Sequence, residues 1–394
     1  MTSREQYRYR LVDEMLKGKM RRREVAQLLG VRERTVSRLA ARIRRNGLEG
    51  AVHGNRGRSP ANKLARAPMR QAAQLVRERY YDFNMQHALE MLRQHHAIEL
   101  SYSSFRRLCH REKLARLHPR RRPKIHRRRE RMSAEGMLLQ FDGSHHEWVK
   151  GQGKWCLIAA IDDATSEVTA AQFFTTEATL TCMTVMRDLI ATKGVPLAFY
   201  VDRAGWFGGM KRQNTSQIQR ALEELGTRLI FAYTPQAKGR IERFWRTVQD
   251  RLIPEMRLKK ITNLEAANQY LAREFLPRYW NKHHRLKPVE ATSRYRRAPS
   301  PATLREIFCI KEHRTVRGDQ TLFWERQSYR VEADCALKGR EIELRTYLDG
   351  TWRAFFKGRP VAIQRYGIQR PNPDAIKVHW KPKLITKVTN SLAI

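Results

Sequence analysis

Apolar positions recur at helical spacing along the first third of the chain. Tyr7, Leu11 and Met15 share one face over residues 4–19 and predict a helix. In "RRREVAQLLGVRERTVSRLAARIRR" (21–45), Ala26 is small where two helices approach, Gly30 allows a tight turn, and Val31, Val36 and Leu39 face inward. That order of offsets is the pattern of a helix-turn-helix, with an ordinary helical hairpin as the alternative. "MRQAAQLVRERY", "MQHALEMLRQHH" and "YSSFRRLCHREKL" predict three more helices over 68–117, the last capped by Ser101.

The period changes at residue 136. "GMLLQFDG", "KWCLIAAIDD" and "EVTAAQFF" read as three strands in close succession. A helix, the strand "LAFYVD", a second helix, the strand "RLIFAYT" and a helix after Pro235 follow. Three strands and then alternating helices and strands predict a mixed sheet covered by helices. In the last of these helices Ile241, Trp245, Val248 and Leu252 form the buried stripe, which leaves Glu242, Arg246 and Gln249 off it. A helix near 264–281 leads to "YWNKHHRLKP", and alternating segments from Arg314 to about Arg365 suggest a small barrel. No internal repeat is visible.

The expected fold is therefore multidomain α+β, with N-terminal helix-turn-helix domains, a central α/β core on a mixed five-stranded sheet, and a C-terminal β-barrel. The boundaries expected are a helix-turn-helix domain at 1–50, a basic linker at 51–67, a second helical domain at 68–117 and a basic linker at 118–135. The core then spans 136–290, a linker 291–312, the barrel 313–370 and a tail 371–394.

Charge changes the picture most. Across 394 residues, 78 Lys and Arg stand against 39 Asp and Glu, a formal net charge of +39. Residues 1–140 carry 35 basic and 13 acidic side chains, +22 of that total. A field of that size suits a polyanionic partner, and arginine forks suit phosphates and guanine edges. Double-stranded DNA is the expected partner; a membrane surface fits less well, because the basic segments lack a continuous apolar face. At 41% apolar residues the chain can build real cores. No stretch reaches the ~20 apolar residues of a membrane span, and the N-terminus lacks the apolar stretch of a secretion signal. Five scattered cysteines, none in a CxxC pair, point to reduced thiols, a cytoplasmic setting and no cysteine-based zinc module.

Candidate DNA contacts follow from these elements. The second helix of the first pair would present Arg32, Arg34, Thr35, Arg38 and Arg42. "HGNRGRSPANK" places Arg56 and Arg58 in a thin basic segment that could lie in a minor groove or serve as a plain linker. In the second helical domain, Ser103, Ser104, Arg106, Arg107 and His110 share the last helix, for which packing is the alternative role. The run from Arg111 to Met132 holds 11 Lys or Arg in 22 residues and would track a phosphate backbone.

Three carboxylates carry the candidate chemistry. Asp142 is expected to end the first strand and Asp202 the fourth, while Glu242 opens the helix after the fifth. Strand ends of an open α/β sheet are where polar ligands gather. Three carboxylates there would form an all-oxygen site for Mg²⁺, and two such ions can drive a phosphodiester displacement. Bland readings stand beside this one. Glu242 and Arg246 are spaced for an exposed i,i+4 ion pair, Asp142 and Asp202 could cap turns, and Asp162–Asp163 offer a second acidic pair in a hairpin.

"QFDGSHHEW", "FYVDRAGWF" and "YTPQAKGRIERFW" resemble, in order, the three blocks of insertion-sequence transposases of the DDE, retroviral integrase-like superfamily. The helix-turn-helix start and the "HGNRGR" linker resemble a loosely classified insertion-sequence group within it. Likeness extends through "WNKHHRLKP" and to a barrel similar to that of phage Mu transposase. It implies a ribonuclease H-like core and Asp142, Asp202 and Glu242 as the metal-binding triad, with two Mg²⁺ ions or Mn²⁺ in their place. End-specific DNA binding, donor cleavage to a 3′-hydroxyl and joining to target DNA are implied as well. Lys238, Arg240, Arg243 and Arg246 would bind phosphates beside the metals. His146 fits the first block and is a candidate for hydrogen-bonding a metal ligand from outside the coordination sphere. Paired-end chemistry implies a dimer or larger complex on DNA. The chain departs from the common pattern in its 39 residues between Asp202 and Glu242 and in "DRAGWFGGMKRQNTSQ" after the second aspartate. The competing reading is a sequence-specific repressor whose core is inactive.

Overall fold

The computed structural model describes residues 1–58, 65–114, 129–208, 215–232, 238–333 and 335–366. Most of the basic linker, Pro235 and the tail 371–394 lie outside them. The chain divides into two compact units, Met1–Gln74 and Leu75–Ile394.

The first unit holds α1 (Ser3–Leu16), α2 (Arg22–Leu29) and α3 (Glu33–Asn46), followed by a 3₁₀ turn at Gly47–Ala51. Thr2 and Glu5 form a reciprocal cap that starts α1. Gly30 ends α2 at φ +64°, a left-handed conformation costly for a side chain, and only three residues separate the two helices. Leu11, Val12, Val25, Ala26, Val36, Ala40 and Ile43 make the core. Of the residues expected on one side of this helix, Leu11 is buried and Tyr7 is 47% exposed; the buried face of α1 is turned toward Leu11 and Val12.

A helix α4 (Arg66–Glu78) runs across the division, and the second unit continues with α5 (Met85–His96) and α6 (Tyr102–Arg111). Ser101 caps α6 by accepting from the Ser104 amide at 3.2 Å. The central sheet is built from β1 (Leu139–His146), β2 (Trp155–Asp162), β3 (Val168–Phe174), β4 (Ala198–Val201) and β5 (Arg228–Phe231). Their order is β3-β2-β1-β4-β5; the first three are antiparallel, and β4 and β5 run parallel to β1. One face is covered by α7 (Thr179–Lys193) and α8 (Gln217–Glu224), with Leu139, Phe141, Phe199, Met186 and Leu222 in the core. The other face is covered by α9 (Gly239–Leu258), α10 (Leu264–Tyr270) and a π-helical stretch Leu271–Trp280, which runs on into the short α11 (Asn281–His284). Two asparagines close the β3 edge by acting as strand mimics. Asn268 accepts from the Phe173 amide at 2.7 Å and donates to its carbonyl at 3.1 Å, and Asn281 does the same at Val168, at 2.9 and 3.1 Å.

After α12 (Pro301–Ile307) come β6 (Cys309–Thr315), β7 (Thr321–Trp324), β8 (Gln327–Glu332), β9 (Glu341–Tyr347), β10 (Trp352–Phe356) and β11 (Arg359–Tyr366). These form an antiparallel sheet in the order β6-β9-β10-β11-β8-β7, which fits a barrel around Leu322, Trp324, Val331, Ile342 and Leu344. Strand β6 begins inside the segment expected to be a linker. Its "CIKEHRT" is half-buried along most of its length, so it lacks the alternation that marks an amphipathic strand. Among the described residues no helix is long and apolar enough to cross a membrane.

Candidate active site

Strands β1 and β4 pair only through Leu139–Phe199 and Gln140–Tyr200. The pairing goes no further, and Asp142 and Asp202 both lie two residues past its last pair. Asp142 does not end β1, as the sequence suggested; it sits mid-strand, because β1 stays paired with β2 as far as His146. Asp202 follows the last residue of β4 and accepts from the Ala204 amide at 3.0 Å, which folds the chain back in an Asx turn.

Helix α9 lies along β1 in register. Gln140 accepts from the Ile241 amide at 3.2 Å, the Trp245 indole donates to Asp142 Oδ2 at 2.9 Å, and Gln249 donates to Ser144 Oγ at 3.1 Å. Four residues of helix rise about 6 Å and two residues of strand about 6.6 Å, so the two elements keep step over this length. Lys238, at the head of the helix, donates to Asp142 Oδ1 at 2.6 Å. Glu242 comes four residues after Lys238 and three before Trp245, both of which reach Asp142, but lies off the buried stripe that carries Trp245. It is exposed and has no hydrogen bond or ion pair among the described residues, and the i,i+4 pair with Arg246 is not made.

The head of α9 is pinned by a buried polar cluster. Asp163, fully buried, accepts from Arg240 at 2.7 Å and from Gln140 Nε2 at 2.8 Å on Oδ1, where Arg129 also donates, and from the Met132 amide at 3.0 Å on Oδ2. Its neighbour Asp162 accepts from the Gly136 amide at 2.8 Å and from Thr165. The second acidic pair of the sequence is thus structural. Arg240, grouped by sequence with the phosphate contacts, is instead held inside by Asp163; a charge one turn from solvent was drawn in because a buried carboxylate needs a cation.

A fourth carboxylate, unnoticed in the sequence, lies close enough to Asp142 and Asp202 to feel their charge. Glu177, in the loop from β3 to α7, is 9% exposed. Burial raises its carboxyl to about 7, and the negative charges of Asp142 and Asp202 add to the effect. Its carboxylate fills the space over Gly143, where a Cβ would come within 2.4 Å of Glu177 Oε2. A glycine in mid-strand beside Asp142 was the available signal for such a close approach.

The raised value has a consequence for stability in metal-free buffer. Between about pH 4.5 and 7 the folded chain keeps the Glu177 proton that the unfolded chain releases. Stability therefore falls as pH rises through that window, by about 3 kcal/mol, and levels off above it. Glu177→Gln should raise the unfolding midpoint at pH 8 with chelator present and leave it nearly unchanged at pH 4.5. Equal midpoints for variant and wild type at pH 8 would contradict the assignment.

The other expected site residues fall into groups. Arg32, Arg34, Thr35 and Arg38 are exposed on α3 and its cap, while Arg42 donates to the Val52 carbonyl. Arg56 pairs with Glu5 at 2.6 Å and Arg58 is exposed. Arg106, Arg107, Arg243 and Arg246 are exposed. His146 packs edge-on against Trp148 at 5.6 Å between ring centroids, with no hydrogen bond to Asp142 among the described residues. Asp142, Asp202 and Glu242 offer oxygen atoms of the kind Mg²⁺ takes, and the Lys238 ammonium neutralises Asp142 here. They do not meet as one tight group here: among the described residues, the one set of three donor atoms within 4.8 Å of one another is His145, Cys156 and Glu177.

No protein-family model matches the chain. It is 33% identical over 368 residues to a protein named as transposase y4bF in Sinorhizobium fredii (strain NBRC 101917 / NGR234), across 91% of this chain and 80% of that one. It is 26% identical over 365 residues to the transposase for insertion sequence IS1202 of Streptococcus pneumoniae, across 82% and 77%. Among solved structures, the HTLV-2 integrase catalytic core domain in complex with magnesium (trimeric form) aligns with a TM-score of 0.29 at 16% identity, over 34% of this chain and 82% of that one. The simian T-cell lymphotropic virus intasome, in complex with PP2A regulatory subunit B56 gamma, aligns with a TM-score of 0.33 at 15% identity, over 76% and 100%.

Proposed function

The chain belongs to the insertion-sequence transposases, and from that premise we propose that it binds the ends of a mobile element, cuts donor strands to 3′-hydroxyls and joins them to target DNA. The α/β core is read as ribonuclease H-like, and Asp142, Asp202 and Glu242 as the residues that hold two Mg²⁺ ions. The observation that supports the reading is the α9–β1 register, in which Lys238 and Trp245, one turn to either side of Glu242, both bond Asp142. When bound, the ions supply activation of the attacking hydroxyl and charge stabilisation of the leaving oxygen.

The side chains around the carboxylates do the rest. Trp245 fixes the Asp142 carboxylate by its indole bond and leaves Oδ1 to a cation. Lys238, which holds Oδ1 here, would be released toward a DNA phosphate were the Asp142 charge met by a metal instead. Arg243 and Arg246 extend the basic surface along α9, and Arg240 serves the fold. The reading is tested by mixing the protein with the duplex ends of its own element, target DNA and Mg²⁺. Joined products support it; tight end binding with no joining at any protein concentration would favour a repressor instead.

Helices α2 and α3 are read as the helix-turn-helix that recognises those ends, and synapsis of two ends as the work of a dimer or larger assembly. Arg34 and Arg38 are exposed, so Arg34→Ala with Arg38→Ala leaves the core of that unit intact. The double variant should lose its preference for end over random duplex, at about 1–3 kcal/mol per base contact. Competition binding that still discriminates the two duplexes would place recognition elsewhere.

A further inference from the structure

His145 and Cys156 face each other across the β1–β2 ladder, so their side chains stand on one face of the sheet at directly opposed positions. Glu177 arrives on that face from the loop after β3. Its Oε2 lies 3.9 Å from His145 Nδ1 and 3.9 Å from Cys156 Sγ, and all three donor atoms fall within 4.8 Å of one another. A tetrahedral Zn²⁺ with bonds near 2.0 Å to nitrogen and oxygen and 2.3 Å to sulfur needs its ligand atoms about 3.3–3.6 Å apart. A shift of about half an ångström closes the gap on both Glu177 contacts, and the same movement of the imidazole must bring it toward Cys156, whose sulfur lies within 4.8 Å. His145 can make that adjustment because its side chain is 51% exposed, while Cys156 and Glu177 are held by burial.

We propose that His145, Cys156 and Glu177 form a binding site for a borderline-soft divalent metal, Zn²⁺ by preference, separate from the all-oxygen Mg²⁺ site. Donor chemistry makes the distinction. A thiolate and an imidazole favour zinc over magnesium, whereas Asp142, Asp202 and Glu242 offer oxygen alone. Three protein ligands leave a fourth position open to water, on the solvent side where His145 is exposed. On binding, the Cys156 thiol gives its proton to solvent as the sulfur–metal bond forms, and the Glu177 carboxyl, where protonated, likewise releases its proton to solvent as it turns to the metal. The three donors come from two strands and a loop, 11 and 21 residues apart in sequence, so no short cysteine–histidine spacing announces them. The site stands whether or not the chain joins DNA strands, because none of its ligands belongs to the Asp142–Asp202–Glu242 set.

Co²⁺ titration of the full-length protein, with excess Mg²⁺ present to fill oxygen sites, tests this directly. One equivalent of Co²⁺ should produce a thiolate-to-cobalt charge-transfer band and the visible bands of a four-coordinate ion, and Zn²⁺ should abolish both. Cys156→Ser should lose the charge-transfer band. His145→Ala, a change at a half-exposed side chain, should weaken Co²⁺ binding by about tenfold or more. Cys335→Ser, which removes the exposed cysteine, and Glu242→Gln should both keep the band at full strength. The proposal is overturned if wild type shows no thiolate–cobalt band at stoichiometric metal, or if the band survives in Cys156→Ser. Loss of strand joining with the band intact would overturn the transposition reading alone.

Discussion

Glu242→Gln should lower strand joining by about 10³-fold, the ~4 kcal/mol expected when one carboxylate is lost from a metal-dependent phosphoryl-transfer site. Folding should be untouched. Glu242 is exposed and makes no hydrogen bond or ion pair among the described residues, so the substitution removes nothing that the fold uses. A surface glutamate with no further role would leave activity and unfolding midpoint alike unchanged, to within about 0.5 kcal/mol. The combination of intact midpoint, intact end binding and lost joining therefore separates a ligand from a bystander. Asp142→Asn should lose joining to the same degree, but it also removes the charge partner of Lys238, which makes it the less clean variant. Joined products at wild-type level from Glu242→Gln would remove this residue from the triad.

Asp163→Ala should cost about 3–5 kcal/mol of stability, because it leaves Arg240 inside the protein without its counter-charge. The loss is not confined to one pair. Asp163 also accepts from Gln140, whose own carbonyl receives the Ile241 amide, so removing the carboxylate loosens the head of α9 as well. Joining should fall with stability even at temperatures where the variant remains folded. Replacing Asp163 and Arg240 together by apolar residues of similar size should restore part of the stability, since the desolvation cost of both charges then disappears. A single variant with an unchanged denaturation midpoint would show that the cluster is not holding the helix.

Much of this arrangement was legible in residue patterns. The five strands of the core announce themselves as short apolar runs, and the stripe Ile241, Trp245, Val248, Leu252 correctly marks the buried side of α9. Pattern could not say where β1 ends, because pairing with β2 continues past Asp142 through polar residues with no apolar alternation. Neither could it find Glu177. "TTEAT" has no periodicity, and the weight of that glutamate comes from burial against two strands distant in sequence. The basic residues at the head of α9 look alike in sequence, yet they separate into a cation on Asp142, a buried partner of Asp163 and exposed arginines. Which charge is drawn inward depends on which carboxylate waits there, and that is a tertiary fact.

The step-for-step match of α9 with β1 bears on how such chains can vary in length. An extra residue between Lys238 and Gln249 would turn every later side chain by about 100° and carry the indole away from Asp142. Insertions and deletions are therefore barred from that stretch. Upstream of Lys238 the described residues between β4 and the helix show no such register with β1, so a change of length in a connection there need not turn the residues of α9. Within the 39-residue interval between Asp202 and Glu242, α8 and β5 are held by the core and by pairing with β4, so length can vary only in the connections around them. Aligning relatives by that interval would mislead, and anchoring them on the helix–strand ruler would not.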